Sequence, residues 1–213
     1  MEHPNCLNLI CWNANGLQSR KNELEVFLHQ NSIDVALISE THLTSTVNTP
    51  KICNYDVYLA NHPSGQARGG SAVIIKKSLH HYDVGVFITT SIQSSVVAIN
   101  FNNHTVHLSS IYCPPRVIPD KETFLTLFRH LGHNFILGGD LNSKHPTVYG
   151  AHVSPASADV LFTKPLWSTT VVPSPLMAQP TGQLTIRNVR TSSISLFAKA
   201  SQTTIYRLIQ LPN

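Results

Sequence analysis

The last quarter of the chain lacks acidic residues and histidine. All eleven aspartates and glutamates lie at or before Asp159, and all twelve histidines lie at or before His152. Carboxylates and imidazoles supply most general acids, general bases and metal ligands in proteins. We therefore expect chemistry of these kinds to be confined to the residues that precede position 160.

Other absences exclude further classes of protein. The four cysteines form no Cys-x-x-Cys pair, and no set of histidines and cysteines has zinc-ligand spacing, so neither a zinc knuckle nor a disulfide scaffold is predicted. Cys11, Cys53 and Cys113 lie in apolar runs, where a free cysteine usually behaves as a small core residue. No apolar run approaches the roughly 20 residues of a transmembrane helix, and no basic region opens a signal peptide. We expect an intracellular protein outside the membrane.

Charged residues are scarce as well. They make up 12% of the 213 residues, about half the usual share. The net charge of +4 weakly favours an anionic partner and does not suggest a highly basic protein that coats DNA. At this length, with 42% hydrophobic residues, the chain is predicted to form a single domain over residues 1–213 with a sizeable core.

What is present is an alternation of strands and helices. Residues 7–12 and 34–39 are typical of buried strands, and residues 20–30 between them have a helical pattern, which predicts a βαβ unit. A second helix is predicted at 120–131 and a buried strand at 134–137. Between these units, five β-rich runs separated by turns predict an antiparallel meander, at 56–60, 71–77, 84–89, 95–101 and 105–112. Weaker β-rich runs follow at 169–172, 193–198 and 204–211.

Polar residues stand at four of the predicted strand ends, where ligands and catalytic groups collect in α/β sheets. They are Asn13, Asn15, Glu40, Tyr112, Asp140 and Asn142. Each also has an ordinary structural explanation, since asparagine and aspartate favour turns and Tyr112 precedes a bend at two prolines. Taken together, two carboxylates and two amides offer oxygen ligands, which suit Mg²⁺ and a phosphate-bearing substrate.

Five short segments resemble a known family when they are taken in order. WNANGL, ISETHL, RGGSAVII, SIYCPP and GGDLNSKHP are similar to segments of the endonuclease/exonuclease/phosphatase superfamily, and within it to the apurinic-type endonuclease domain of non-LTR retrotransposons. The resemblance covers residues 6–150, and residues 160–213 are divergent or incomplete. It implies an α/β (α+β) fold, a four-layer sandwich of two packed mixed β-sheets flanked by helices.

The resemblance also implies roles for individual residues. Glu40 would bind the divalent metal, and Asn13 would order the metal site. Tyr112 would contact the scissile phosphate, Asp140 would position or deprotonate the attacking water, and Asn142 would orient the phosphate.

Four further residues match the substrate side of the family. Asn15 would lie at a polar position near the metal, and Arg68 could reach the DNA backbone, although a solvated turn is its alternative role. Lys144 and His145 resemble the substrate-side loop of the family, and for His145 a surface-loop histidine is the alternative.

Two motifs of the family are missing from the sequence. The family continues with a Leu-Asp strand and ends in Ser-Asp-His, whereas residues 193–197 (SISLF) contain no acid and no Ser-Asp-His follows. Losing a positioned acid or base typically lowers the rate by roughly 10²–10⁴-fold. We therefore expect an impaired enzyme.

These motifs support three hypotheses about the function of the chain. The first is Mg²⁺-dependent DNA nicking, with Mn²⁺ as an alternative metal, by the endonuclease domain of a non-LTR retrotransposon. By resemblance it would act on DNA in the nucleus, and the reverse transcriptase domain expected in the full element is absent from this chain. The alternatives are a catalytically dead relic that binds nucleic acid or protein, and another phosphoesterase of the same superfamily.

Overall fold

The computed structural model describes residues 6–46, 48–101, 104–117 and 119–142, together with the backbone of three later strands. In the first of two sheets the strands up to residue 76 are β1 (Cys6–Asn13), β2 (Val35–Ser39), β3 (Tyr55–Ala60) and β4 (Ser71–Lys76). In the second they are β5 (His81–Ile88), β6 (Gln93–Phe101), β7 (His104–Tyr112) and β8 (Phe135–Asp140). The later strands are β9 (Asp159–Lys164), β10 (Thr185–Arg190) and β11 (Thr204–Ile209), and the helices are α1 (Leu17–Gln30) and α2 (Lys121–Leu131).

Both sheets are mixed. The first has the strand order β10-β11-β1-β2-β4-β3, and the second has the order β5-β6-β7-β8-β9. Each contains one parallel pair whose strands are joined by a helix: β1 and β2 are joined through α1, and β7 and β8 through α2. The predicted βαβ unit is therefore confirmed, and a second unit of the same kind is present.

Three layers of apolar side chains hold four structural layers together. Leu9 and Leu37 of the first sheet belong to the same buried cluster as Leu108 of the second. The neighbouring residue Ile10 points the opposite way, because successive side chains of a strand alternate, and it packs with Leu24 of α1. On the far side α2 packs on the second sheet in a similar way. The order helix, sheet, sheet, helix confirms the predicted four-layer sandwich.

The predicted meander of five strands is wrong in its pairing. β3 and β4 form a hairpin in the first sheet, whereas β5, β6 and β7 pair in the second. The physical reason lies in β4, which has β2 on one edge and β3 on the other and so has no edge left for β5.

Other predictions have mixed outcomes. The predicted strand at 204–211 corresponds to β11, which pairs antiparallel with β1, whereas β9 and β10 were not predicted and the runs at 169–172 and 193–198 lie outside the described residues. Cys11 and Cys113 are buried as expected. The expectation for Cys53 is wrong: it is exposed, because in this turn Ile52 and Tyr55 take the buried positions.

Candidate active site

The polar residues at the strand ends meet at one edge of the sandwich. In the parallel pairs, Asn13 lies beside Ser39, which directly precedes Glu40, and Tyr112 lies beside Asp140. The side-chain amide of Asn13 donates a hydrogen bond of 3.0 Å to Oδ2 of Asp140, so that the end of β1 in one sheet is joined to the end of β8 in the other. The expected convergence of these groups is therefore present in the structure.

Asp140 is buried and held in one orientation. Its Oδ2 accepts the bond from Asn13, and its Oδ1 accepts a bond of 2.8 Å from the backbone N–H of Asn142. Its backbone carbonyl accepts a bond of 2.8 Å from the N–H of Cys113. Asn142 is fixed in turn, because its side-chain amide donates to the Cys113 carbonyl at 2.9 Å. The carboxylate therefore stays in place without help from a substrate.

Glu40 is fixed mainly through its backbone. It lies in the left-handed region with φ of +52°, and its carbonyl accepts a bond of 2.9 Å from the N–H of Gly16, at the start of α1. Nε2 of His42 lies 3.7 Å from Oε2 of Glu40, and both side chains are partly exposed. His42 was not among the predicted site residues, although it lies two positions after Glu40 in the same segment.

Positive φ angles are concentrated at this edge. Asn15, Glu40, His42 and Asn142 all have φ between +43° and +52°. Residues other than glycine occupy this region at a cost, and they often do so at functional sites. The αL backbone at Glu40 is unusual because glutamate, unlike glycine, asparagine, aspartate and histidine, is not favoured in this region.

The pKa of Tyr112 depends on the negative charges of the site. Burial, together with the nearby carboxylates of Glu40 and Asp140, raises the pKa of its phenol to about 12. Both carboxylates therefore act on the same hydroxyl group, and the phenol stays protonated at neutral pH. A protonated phenol can donate a hydrogen bond to an anionic oxygen.

The RGG turn packs directly against Tyr112. Gly69 has φ of +56°, and a Cβ at this position would lie 2.7 Å from Oε1 of Gln93 and 2.8 Å from Cε1 of Tyr112. The N–H of Gly70 donates a bond of 2.7 Å to Oε1 of Gln93. Gln93 was not among the predicted site residues, since it lies on β6 and only the pairing of β6 with β7 places it beside Tyr112.

A cavity of about 430 Å³ opens beside Tyr112. Its wall is mostly apolar, with the exposed Arg68 as its cationic member. Burial and the nearby Arg68 lower the pKa of His62, so that this imidazole is favoured in its neutral form. The lining residues are His62, Pro63, Arg68, Gly69, Thr90, Tyr112, Pro114, Pro115 and Val117.

The remaining predicted site residues fall in two groups. Asn15 is exposed, and its backbone N–H donates a bond of 3.0 Å to Oδ1 of Asn13, which orients the Asn13 amide toward Asp140. Lys144 and His145 lie outside the described residues.

The donor set suits a hard divalent cation. Glu40 and Asp140 supply carboxylate oxygens and Asn13 supplies an amide oxygen at the same edge. Mg²⁺ is held by a few such oxygens together with water and substrate phosphate, whereas zinc sites usually contain histidine or cysteine. The residues present therefore fit Mg²⁺ or Mn²⁺.

Among the described residues, no helix is both long enough and apolar enough to cross a membrane.

Comparison with known proteins decides the family. A sequence profile described as the Endonuclease/Exonuclease/phosphatase family matches residues 10–192. The chain belongs to this family. The match extends past residue 150, where the resemblance of the individual segments ends.

Curated relatives of this family member come from mobile elements. An RNA-directed DNA polymerase from the mobile element jockey of Drosophila melanogaster is 40% identical over 141 residues, which are 65% of this chain and 15% of the relative. A probable RNA-directed DNA polymerase from the transposon X-element of the same species is 35% identical over 140 residues, again 65% of this chain and 15% of the relative. The chain thus spans only a small part of the length of these relatives.

One solved structure supports the fold, and a second is similar at a lower score. A humanized D. rerio TDP2 has a TM-score of 0.50 at 15% identity, covering 74% of this chain and 71% of that one. The endonuclease domain of TRAS1, a telomere-specific non-LTR retrotransposon, has a TM-score of 0.48 at 20% identity, covering 65% of this chain and 62% of that one.

Proposed function

We propose that this family member hydrolyses phosphodiester bonds of DNA with the help of a divalent cation, Mg²⁺ or Mn²⁺, and so introduces nicks. The observation that carries the proposal is the hydrogen bond from Asn13 to Asp140, which joins the two sheets at the edge where Glu40 and Tyr112 also lie. One buried carboxylate with a fixed orientation, a second carboxylate and a protonated phenol are suited to phosphate chemistry.

Each residue has a distinct task in this proposal. Glu40 and Asn13 would hold the cation, which supplies charge neutralisation for the phosphate when it is bound. Asp140 would orient the attacking water and accept its proton, because its two oxygens are already fixed by Asn13 and Asn142. Tyr112 would donate its phenol proton in a hydrogen bond to a phosphate oxygen.

The substrate side extends from Tyr112 toward the cavity. Asn142 would orient the scissile phosphate, and Asn15 and Arg68 would contact the neighbouring DNA backbone. Lys144 and His145 are proposed to contribute from the substrate-side loop. Relatives named as RNA-directed DNA polymerases of mobile elements support a nucleic-acid substrate. We propose that this substrate is DNA in the nucleus, with a reverse transcriptase as the partner in the full element.

The proposal predicts slow catalysis. Residues 160–213 contain no acid and no histidine, so they offer no imidazole or carboxylic acid to protonate the leaving oxygen. The loss of one such group typically lowers the rate by roughly 10²–10⁴-fold. The same feature favours a second candidate, a nucleic-acid-binding module that has lost catalysis.

Nicking of supercoiled plasmid by the purified chain separates the two candidates. We expect slow nicking that requires Mg²⁺ or Mn²⁺ and falls by at least about 100-fold in Asp140→Asn and in Glu40→Gln. Glu122→Gln is the matched control, since this glutamate is exposed on α2 and pairs only loosely with Arg129 at 3.8 Å. A folded protein that binds DNA but does not nick it with either metal would favour the binding module and contradict the hydrolase.

A further inference from the structure

A second group of metal-binding side chains lies on the outside of α1, apart from the candidate active site. Glu25 and His29 stand one turn apart on this helix, and Cys53 lies in the turn that precedes β3. Glu25 is eight residues beyond Leu17, where α1 begins beside Glu40, which corresponds to roughly 12 Å along the helix axis. The two groups share no residue.

The three side chains converge on one point. One ligand atom each from Glu25, His29 and Cys53 lies within 4.8 Å of the other two. Around a tetrahedral zinc ion with bonds of about 2.0–2.3 Å, ligand atoms lie roughly 3.3–3.8 Å apart. Separations of up to 4.8 Å exceed these values by roughly 1 Å, so a bound ion would draw the three side chains closer together. Spacing of four on a helix places Glu25 and His29 on the same face, as such a site requires.

Contacts around the cluster already restrain its members. The backbone N–H of Cys53 donates a hydrogen bond of 3.1 Å to Oε1 of Glu25, which orients the carboxylate toward the turn and leaves Oε2 as a ligand atom. The His29 ring packs edge-on against Tyr55, with centroids 5.6 Å apart. Tyr55 is itself fixed, because its hydroxyl donates to the Ile33 carbonyl at 2.6 Å. Such supporting contacts orient metal ligands and raise affinity.

The donor atoms select the metal. Sulfur, nitrogen and oxygen together suit Zn²⁺, whereas Mg²⁺ takes oxygen ligands. Cys53 and His29 are exposed, so a solvent molecule can complete the fourth position. Spacing along the chain does not predict this site, because Cys53 follows His29 by twenty-four positions and has no paired cysteine.

We propose that Glu25, His29 and Cys53 bind one Zn²⁺ ion, which fastens α1 to the turn before β3. The edge strand β3 pairs only with β4 among the strands of the first sheet, so a metal bridge from α1 would secure this edge against opening. The site is distinct from the proposed nuclease centre in position and in ligand chemistry.

Cobalt titration of the reduced full-length chain tests the site. Co²⁺ bound by Cys53 should give a thiolate charge-transfer absorption in the near ultraviolet at one equivalent, which an all-oxygen centre does not produce. The absorption should disappear in Cys53→Ser and require at least tenfold more Co²⁺ in His29→Ala and Glu25→Gln. His80→Ala and Glu23→Gln change exposed residues of the same types elsewhere, so they should behave like the unaltered chain.

Two further measurements make the outcome decisive. Zn²⁺ should displace Co²⁺ and raise the midpoint of thermal unfolding of the unaltered chain, because a ligand that binds the folded state stabilises it. Glu40→Gln should keep the cobalt absorption, because Glu40 belongs to the nuclease centre and not to the zinc site. The zinc proposal therefore does not depend on whether the chain nicks DNA. Absence of the absorption, or its persistence in Cys53→Ser, would overturn the proposal.

Discussion

The two βαβ units of the molecule are built alike but enter their helices differently. In the first unit, Gly16 lies three residues after the end of β1, and its N–H and that of Leu17 donate to the carbonyls of Glu40 and Thr41. In the second unit, eight residues separate β7 from α2, and Asp120 caps the helix by accepting a bond of 2.7 Å from the N–H of Thr123. The first helix start is therefore part of the site, whereas the second is capped by its own side chain.

The two units therefore contribute different parts of the candidate site. The short connection of the first unit locks Glu40 into its left-handed backbone and places the positive end of the α1 dipole beside it. The long connection of the second unit supplies Pro114, Pro115 and Val117 to the cavity beside Tyr112. The first unit thus contributes Asn13 and Glu40, and the second contributes Tyr112, Asp140 and the apolar surface against which a substrate can lie.

The largest expected effect on stability concerns β7 and β8, the parallel pair of the second unit. Gly139 precedes Asp140, has φ of +144°, and a Cβ there would collide with the carbonyl oxygen of Ile111 on β7. We expect Gly139→Ala to lower the free energy of unfolding by roughly 3–5 kcal/mol, through backbone strain and overpacking. Urea unfolding followed by circular dichroism measures this change.

Gly85→Ala is the matched control for this substitution. Gly85 has φ of +107°, but nothing lies within 4 Å of an added Cβ, so only the backbone strain of about 1–3 kcal/mol remains. Equal losses in the two variants would mean that β7 and β8 do not approach as closely as the structure has them. The corresponding pair of the first unit, β1 and β2, contains no glycine.

The sequence was sufficient to predict the residues whose position follows from a single strand. Asn13, Glu40, Tyr112 and Asp140 end or follow short apolar runs, and the rule that such ends meet at one edge of a sheet brings them together. It also predicted both helices, although α1 begins at Leu17, three residues before the predicted start, because the backbone contacts of Gly16 and Leu17 with the Glu40 segment extend it.

What the sequence could not reveal depends on packing between distant elements. Gln93 joins the site only because β6 pairs with β7 and the glycines of the RGG turn allow close approach. Cys53 meets Glu25 only because the turn before β3 lies against α1. The break between β4 and β5 likewise follows from the pairing of β4 on both edges, which no local pattern encodes.

A smaller effect is expected at the short connection of the first unit. Gly16 has φ of +102°, and the nearest atom to an added Cβ would be Oγ of Ser19 at 3.5 Å, so Gly16→Ala meets strain without a collision. We expect a loss of roughly 1–2 kcal/mol in the free energy of unfolding. Weaker Mn²⁺ binding should accompany it, because the Gly16 N–H holds the Glu40 carbonyl.

Gly132→Ala provides the comparison from the second unit. Gly132 ends α2 with φ of +73° and has similar free space around an added Cβ. Its substitution should cost a similar free energy of unfolding and leave Mn²⁺ affinity, measured by calorimetry, unchanged. If both variants lost metal affinity equally, the proposed division between the two units would be wrong.

The smallest effect distinguishes two tyrosines with the same raised pKa. Burial, with a further contribution from Asp34, raises the pKa of Tyr55 to about 12, and its hydroxyl donates to the Ile33 carbonyl of the first unit. Tyr112 ends β7 of the second unit, and its pKa is also about 12, through burial and then the carboxylates of Glu40 and Asp140. In both cases the folded pKa lies above the ordinary value of 10.0. The stability contributed by the neutral phenol is therefore complete below pH 10 and is lost as pH rises toward and through about 12.

Tyr112→Phe and Tyr55→Phe should both reduce the alkaline loss of stability, but they should differ at neutral pH. Tyr55→Phe removes a buried hydrogen bond of 2.6 Å and should cost about 1 kcal/mol there. Only Tyr112 should respond to Glu40→Gln, which removes one of the charges that raise its pKa. Ultraviolet titration, compared between each protein and its phenylalanine variant, isolates the two phenols. If Glu40→Gln left the Tyr112 titration unmoved while Asp140→Asn lowered it, Glu40 would lie too far from the phenol to share a metal and phosphate site with it.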